Sequence, residues 1–272
     1  MNFKRFGNKG NQLGEFMNVQ GVCHKNGQVY ITDSKNQCIQ VLDVLLGKFV
    51  NKFNLSSLPL KLQPFLIGIS TDLSGKIYVT DYENHCVLLF DADGSYLKKI
   101  GYNNLLGPKG LMIDSQRNLL VIDNRGCCVQ TFTAALGELT FRFGIQGYRD
   151  EELCRPHFCA LSNDENHVII TDFRSDKVKI FTREGKFVKC FGANGLRGPT
   201  GLAVHKKSGD IVVCDFGNSK IQVYKSNGSY MHTVDTSVSQ LSGPQGVCFI
   251  DDDRILVADS GNHCLKVFNY KS

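Results

Sequence analysis

The chain has 272 residues, of which 42% are hydrophobic and 21% charged, and its formal net charge is +5 at pH 7. This is the composition of a globular protein, and the mildly basic balance permits an anionic partner without requiring one. No apolar run approaches the roughly 18 residues that a membrane span needs, and the opening stretch MNFKRFGNKGNQLGEF lacks the apolar core of a secretory signal.

The 11 cysteines form no CxxC pair, and only Cys127 and Cys128 are adjacent. Without a secretory signal they read as free thiols packed as small hydrophobes, and the expected location is the cytoplasm. The sequons at Asn54 and Asn227 carry no meaning in such a reducing compartment.

In chain order, the first element is a short strand in NFKRFG, Asn2–Gly7. A first unit follows, with strands in QGVCH, VYITD (ending at Asp33), CIQVLD and FVNKFN. The second reads IGIST, IYVTD (to Asp81), CVLLF and YLKKIG, and the third KGLMI, LLVID (to Asp123), CVQTF and LTFRFG. The fourth reads HFCALS, VIITD (to Asp172), KVKIF and FVKCFG. The fifth reads TGLAV, IVVCD (to Asp215), KIQVY and YMHTVD. The sixth has QGVCF, ILVAD (to Asp259) and CLKVF, then stops one strand short. Alternation and β-branched residues argue for strands throughout, and no stretch of about ten residues holds a helical period.

The strand-ending aspartates are spaced by 48, 42, 49, 43 and 44 residues. Four strands repeating at that period describe an all-β chain, a six-bladed β-propeller occupying residues 1–272 as a single domain. The unpaired N-terminal strand supplies what the last unit lacks, closing the ring and leaving only short edges.

The segment DYENHC at Asp81 recurs as DSKNQC, DNRGCC, DFRSDK, DFGNSK and DSGNHC. It reads as a turn in which the Asp oxygens cap turn amides. Cys38, Cys86, Cys128 and Cys264 each open a third strand, and a ring would separate them too widely for one metal. DADG at Asp91–Gly94 begins like a calcium loop but lacks the downstream Glu, and DDD at Asp251–Asp253 reads as a solvated turn. No HExxH, nucleophile elbow or phosphate loop is present. Four of the seven histidines fall in repeat-equivalent pairs, His24 with His205 and His85 with His263. No catalytic residue, metal or cofactor is therefore expected.

The run GLAVHKKSGDIVVCDFGNSKIQVYKSNGSY resembles the NHL repeat, and all six units fit it. NVQGVCHKNGQVYITDSKNQCIQVLD, LLGPKGLMIDSQRNLLVIDNRGCCV and GPQGVCFIDDDRILVADSGNHCLKVF are similar to the C-terminal propeller of tripartite-motif NHL (TRIM-NHL) proteins, particularly the neuronal ubiquitin-ligase subgroup and its invertebrate relatives. The resemblance implies a recruiting arm that binds either RNA or protein substrates. It also implies RING, B-box and coiled-coil segments upstream in such proteins. This chain holds no RING-like Cys/His framework, so no ligase activity is expected of the propeller itself. Lactonases and the NHL-like lyase of peptide amidation are six-bladed enzymes, but their metal-binding channels have no counterpart readable here.

Propeller geometry puts the loops between second and third strands, and those entering each first strand, on one face. The residues after each strand-ending Asp are Ser34, Tyr82, Asn124, Phe173, Phe216 and Ser260. The next are Lys35, Glu83, Arg125, Arg174, Gly217 and Gly261. Just before each first strand lie Gln20, Ile67, Lys109, His157, Thr200 and Gln245. Tyr82, Phe173 and Phe216 are thus expected on one rim with Lys35, His85, Lys109, Arg125, His157 and Arg174, against the acidic Glu83 and Asp176. Aromatics interleaved with cations suit single-stranded RNA, bases stacking on rings and cations meeting phosphates. The U-rich preference follows from the resemblance. The alternative is a surface for protein substrates of a ubiquitin ligase. The propeller is expected to be monomeric and free of membrane contact.

Overall fold

A computed structural model of the chain describes residues 4–271 except 57, 59, 193 and 194. Six four-stranded antiparallel sheets form the blades of a propeller. Blade one runs Val19–Lys25, Gln28–Asp33, Cys38–Asp43 and Lys48–Asn54, and blade two Leu66–Thr71, Ile77–Asp81, Cys86–Phe90 and Tyr96–Ile100. Blade three runs Pro108–Ile113, Asn118–Asp123, Cys128–Thr133 and Leu139–Phe143, and blade four Pro156–Leu161, His167–Asp172, Lys177–Thr182 and Phe187–Phe191. Blade five runs Pro199–Val204, Ile211–Asp215, Lys220–Tyr224 and Tyr230–Thr233. Blade six is Pro244–Phe249, Arg254–Asp259 and Cys264–Asn269, completed by Lys4–Phe6, with Lys4 opposite Val267 and Phe6 opposite Leu265. The start of the expected closing strand, Asn2 and Phe3, lies outside the described residues. No helix among the described residues is long and apolar enough to cross a membrane.

The core sits between blades. Six apolar clusters each join two neighbouring sheets, and they succeed one another around the ring. Ile39 and Leu55 of the first unit pack with Leu66, Ile77 and Leu88 of the second. Phe16 and Val19 pack with Leu256 and Leu265 and so close the circle. Each fully buried Leu or Ile in such a seam contributes about 1.5–3 kcal/mol.

One boundary differs from the sequence reading. Gln20, Ile67, Lys109, His157, Thr200 and Gln245 do not precede the first strands; each is the second residue within one. The strand begins a residue earlier because Val19, Leu66, Pro108, Pro156, Pro199 and Pro244 already pair with the strand-ending aspartates, after which the register shifts. These positions occupy a bulge. Glycine at the bulge's next position brings adjacent blades into backbone contact. A Cβ on Gly21, Gly68 or Gly201 would lie 2.3 Å from the carbonyl oxygen of Ile67, Lys109 or Gln245 respectively. Thr32 and Thr80 fasten the same seams, their hydroxyls donating to the Ile67 and Lys109 carbonyls at 2.7 and 2.6 Å.

The repeated aspartates do more than cap a turn. All six are fully buried. Asp215 accepts from Asn218 Nδ2 in its own turn at 2.7 Å, from the Arg197 amide of the preceding loop at 2.8 Å, and from Gln222 Nε2 at 2.7 Å. One carboxylate therefore fixes two loops of the same face. Lys179 and Lys266 occupy the Gln222 position in blades four and six and pair with Asp172 and Asp259 at 2.9 and 2.7 Å. Blade two has Leu88 there, and burial holds the Asp81 carboxyl above its usual range against hydrogen bonds from Phe65 and Asn84. Cys38, Cys86, Cys128 and Cys264 are wholly buried at the starts of third strands in four different blades. Burial, reinforced by the neighbouring Asp33 and Asp81, pushes the Cys38 and Cys86 thiols up to about 12.

Candidate recognition face

The residue after each strand-ending Asp falls into two classes. Ser34, Asn124 and Ser260 are tethers: Ser34 Oγ donates to the Leu66 carbonyl at 2.6 Å, Asn124 Nδ2 to the Pro156 carbonyl at 2.9 Å, and Ser260 Oγ to Asn18 Oδ1 at 2.7 Å. Tyr82, Phe173 and Phe216 instead lie half-buried against the next blade's loop. A Cβ on Gly107 would come 3.0 Å from Tyr82 Cε2, and one on Gly198 or Gly243 would come 2.9 Å from Phe173 or Phe216 Cε2. Packing on a neighbouring blade therefore accounts for one side of each ring.

These rings join a continuous arc through blades two to five. The Arg125 guanidinium carbon lies 4.5 Å from the Tyr82 ring centroid, and Arg125 Nε donates to the Tyr82 hydroxyl at 3.0 Å. Lys109 Nζ sits 5.8 Å from the same centroid and hydrogen-bonds His157 Nε2. The His157 imidazole stacks on Phe173, centroids 4.9 Å apart and planes 25° from parallel, and Phe173 meets Phe216 at 6.3 Å. Tyr82, Lys109, Arg125, His157, Phe173 and Phe216 are thus brought together. Lys35 and Arg174 stand exposed on the same face without joining the arc. His85 ends its turn in left-handed conformation, φ 55°, with Nδ1 buried and unpartnered among the described residues.

The geometry explains why Arg125 alone of the three turn cations stacks. Of the three, only Arg125 follows a blade whose residue after the Asp is aromatic. Before Arg125 this is Tyr82, before Arg174 it is Asn124, and before Lys35 it is Ser260. The expected acidic member Asp176 is occupied by the scaffold, accepting from the Gly198 amide at 2.6 Å.

The charge state of the arc is set by burial. Burial and then the Arg155 charge bring the Lys109 ammonium down to about 8. Burial, followed by the Lys109 charge, holds His157 well below its ordinary value, so its imidazole is neutral. With Nε2 accepting from Lys109, the ring proton belongs on Nδ1, which is buried and has no partner among the described residues.

Two cations were not read from the sequence. Arg155 and Arg197 are exposed in the loops entering blades four and five. With Arg174, Tyr148, Gln146, Gly147, Cys127 and Cys154, Arg155 lines a cavity of about 340 Å³ beside the arc. Arg197 packs its methylenes against Gly217. The aromatic class had a sequence signal. Gly-Pro enters the blade after Tyr82, Phe173 and Phe216, at Gly107, Gly198 and Gly243, but not the blade after Ser34, Asn124 or Ser260.

Residues 16–42, 196–224 and 241–268 match the NHL repeat. The chain is similar to Protein brain tumor of Drosophila melanogaster, 32% identical over 126 residues that cover 46% of this chain and 12% of that protein. It is similar to the human E3 ubiquitin-protein ligase NHLRC1, 31% identical over 84 residues covering 29% of this chain and 21% of the ligase. A 50-residue stretch, 18% of the chain, is 46% identical to human Tripartite motif-containing protein 2 and covers 7% of it. Each match spans a minor part of its relative. Among solved structures, a streptogramin B lyase superposes with TM-score 0.71 at 15% identity, covering 100% of this chain and 88% of the other. A gluconolactonase from Xanthomonas campestris gives 0.74 at 14% identity, covering 98% and 95%. At those identities the likeness is one of fold.

Proposed function

Because the chain is a propeller of NHL repeats related to the TRIM-NHL proteins, we propose that it is a non-catalytic recognition module that binds single-stranded, U-rich RNA on this face for post-transcriptional regulation. The observation that carries the reading is the arc from Tyr82 to Phe216, in which two cations of blade three, Lys109 and Arg125, lie against the Tyr82 ring and a row of rings continues through His157 and Phe173 to Phe216. Successive bases stack on such rings for about 1–3 kcal/mol each, and Lys109, Arg125 and Arg155 meet phosphates. Lys35, Arg174 and His85 serve as outlying contacts on the same face. The propeller acts as a cytoplasmic monomer without metal or cofactor, and the lyase and lactonase likeness brings no chemistry with it.

A second reading has its own support. Tyr102, Leu106, Ile145 and Tyr148, in loops of the same face, are 61, 55, 73 and 69% exposed, as suits a protein substrate of a ubiquitin ligase such as NHLRC1 is named to be. Salt separates the two. Fluorescence anisotropy of a labelled polyuridine 12-mer should show affinity falling with salt at about −0.7 in log K per phosphate neutralised. The Tyr82→Ala/Arg125→Ala variant should abolish binding. Absence of binding by a folded wild type to U-rich and mixed single strands would leave the protein-substrate reading.

A further inference from the structure

Lys109 is a cation with no anion beside it. Among the described residues its Nζ makes no ion pair, and its neighbours are the Tyr82 ring, on which Arg125 also stacks, His157 Nε2 and the charge of Arg155. A lysine that only attracts polyanions is best left fully solvated, as Lys35 and Lys61 are. Lys109 is instead half-buried against a neutral imidazole that accepts a hydrogen bond from it. That is the environment of an amine that can act as a nucleophile.

We propose that Lys109 is a covalent modification site, whose amine captures aldehydes carrying an anionic group. The Nζ lone pair adds to the carbonyl carbon, and the carbonyl π pair moves to oxygen. The two protons of the neutral amine pass in turn through His157 Nε2 to that oxygen, the first giving the carbinolamine and the second letting the C–O bond break with its electron pair, so that the oxygen leaves as water. An imine remains, and no electrons are gained or lost. Arg155, exposed two residues before His157 in the loop entering blade four, holds the anionic group. The lowered basicity of Lys109 supports the same reading, because the free amine is abundant near pH 8 rather than above pH 10. Loss of this central cation would weaken polyanion binding, a consequence that rests on the RNA reading; the capture itself does not.

The test treats the whole chain with limiting pyridoxal 5′-phosphate, reduces with borohydride and maps the label by peptide mass spectrometry. Lys109 should label about tenfold faster than Lys35 or Lys61 at pH 7.5. Its rate should level off above pH 8, while the exposed lysines keep gaining. Pyridoxal without the phosphate should label Lys109 more slowly, and Arg155→Gln should erase that difference. His157→Gln should slow capture at Lys109 alone. Uniform labelling across lysines, or a spared Lys109, overturns the proposal whatever the RNA result, and the wild-type pH profile decides it even if a variant fails to fold. Failure of polyuridine binding with selective labelling intact would remove only the RNA reading.

Discussion

Arg125 lies across the ring of Tyr82 from the neighbouring blade, 4.5 Å from its centroid, and also donates Nε to the Tyr82 hydroxyl at 3.0 Å. The hydroxyl fixes where the guanidinium sits, while the ring supplies the stacking surface. Tyr82→Phe keeps the ring and loses only the tether, so polyuridine affinity should fall by about threefold or less. Tyr82→Ala removes both and should cost about 1–3 kcal/mol. Anisotropy titrations at one fixed salt concentration measure the two; equal losses would mean that the tether, not the surface, matters.

Lys109 gives the face a pH dependence with a definite sign. A bound phosphate favours the ammonium, so binding takes up a proton wherever free Lys109 is partly neutral, around and above pH 8. Affinity for polyuridine should therefore fall as pH rises from about 7 to 9, and Lys109→Arg should flatten the profile. Stability moves the other way. The folded-state value is below the unfolded one, so the unfolded chain binds more protons between about 8 and the ordinary lysine range, and stability from this group rises with pH across that window. Lys109→Met should consequently stabilise the fold at pH 7 by about 1–2 kcal/mol while weakening RNA binding. Urea melts at pH 7 and 9.5 check both signs.

Strands and ring were legible in the sequence because each blade ends its second strand in Asp, from Asp33 to Asp259, and a repeated buried carboxylate fixes the register of everything after it. The same register located Tyr82, Phe173 and Phe216. It could not tell stacking cations from solvated ones, since Arg125, Arg174 and Lys35 occupy one repeat position and differ only in what the preceding blade presents. Arg155 escaped because it lies in the Gly144–Arg155 loop, two positions before the His157 that the sequence reading took as the entry to blade four. The Lys109–His157 contact depends on a bulge that begins one residue later than the strand, a detail no apolar alternation encodes.

The glycines of the seams set a limit on substitution. At Gly201 a Cβ would stand 2.3 Å from the Gln245 carbonyl oxygen and 2.8 Å from the Gly246 Cα, backbone atoms that cannot turn aside. Gly201→Ala should destabilise by about 2–3 kcal/mol through forced separation of blades five and six. Gly27→Ala also faces a positive φ, 78°, but its nearest neighbour is the Leu45 side chain at 3.6 Å, so it should cost about 1 kcal/mol from backbone strain alone. Chemical denaturation of the two variants separates crowding from conformation; equal losses would rule out the crowding account.

Asp215 offers the most direct test of how the face is held. It accepts from the Arg197 amide, from Asn218 Nδ2 and from Gln222 Nε2, so Asp215→Ala strands donors in two loops and one strand at once. The expected loss is about 3–5 kcal/mol, the range for breaking a buried charged network. Asp81→Ala should cost less, because Leu88 replaces the third-strand donor and burial already disfavours the Asp81 carboxylate. That raised value also means stability from Asp81 declines as pH rises through its folded-state value, since the folded chain then releases a proton the unfolded chain has already lost. The gap between Asp81→Ala and wild type should therefore narrow as pH rises from about 4 toward neutrality. Paired urea melts of both alanine variants across that range decide the matter, and equal losses would mean that the third-strand donor contributes nothing to the network.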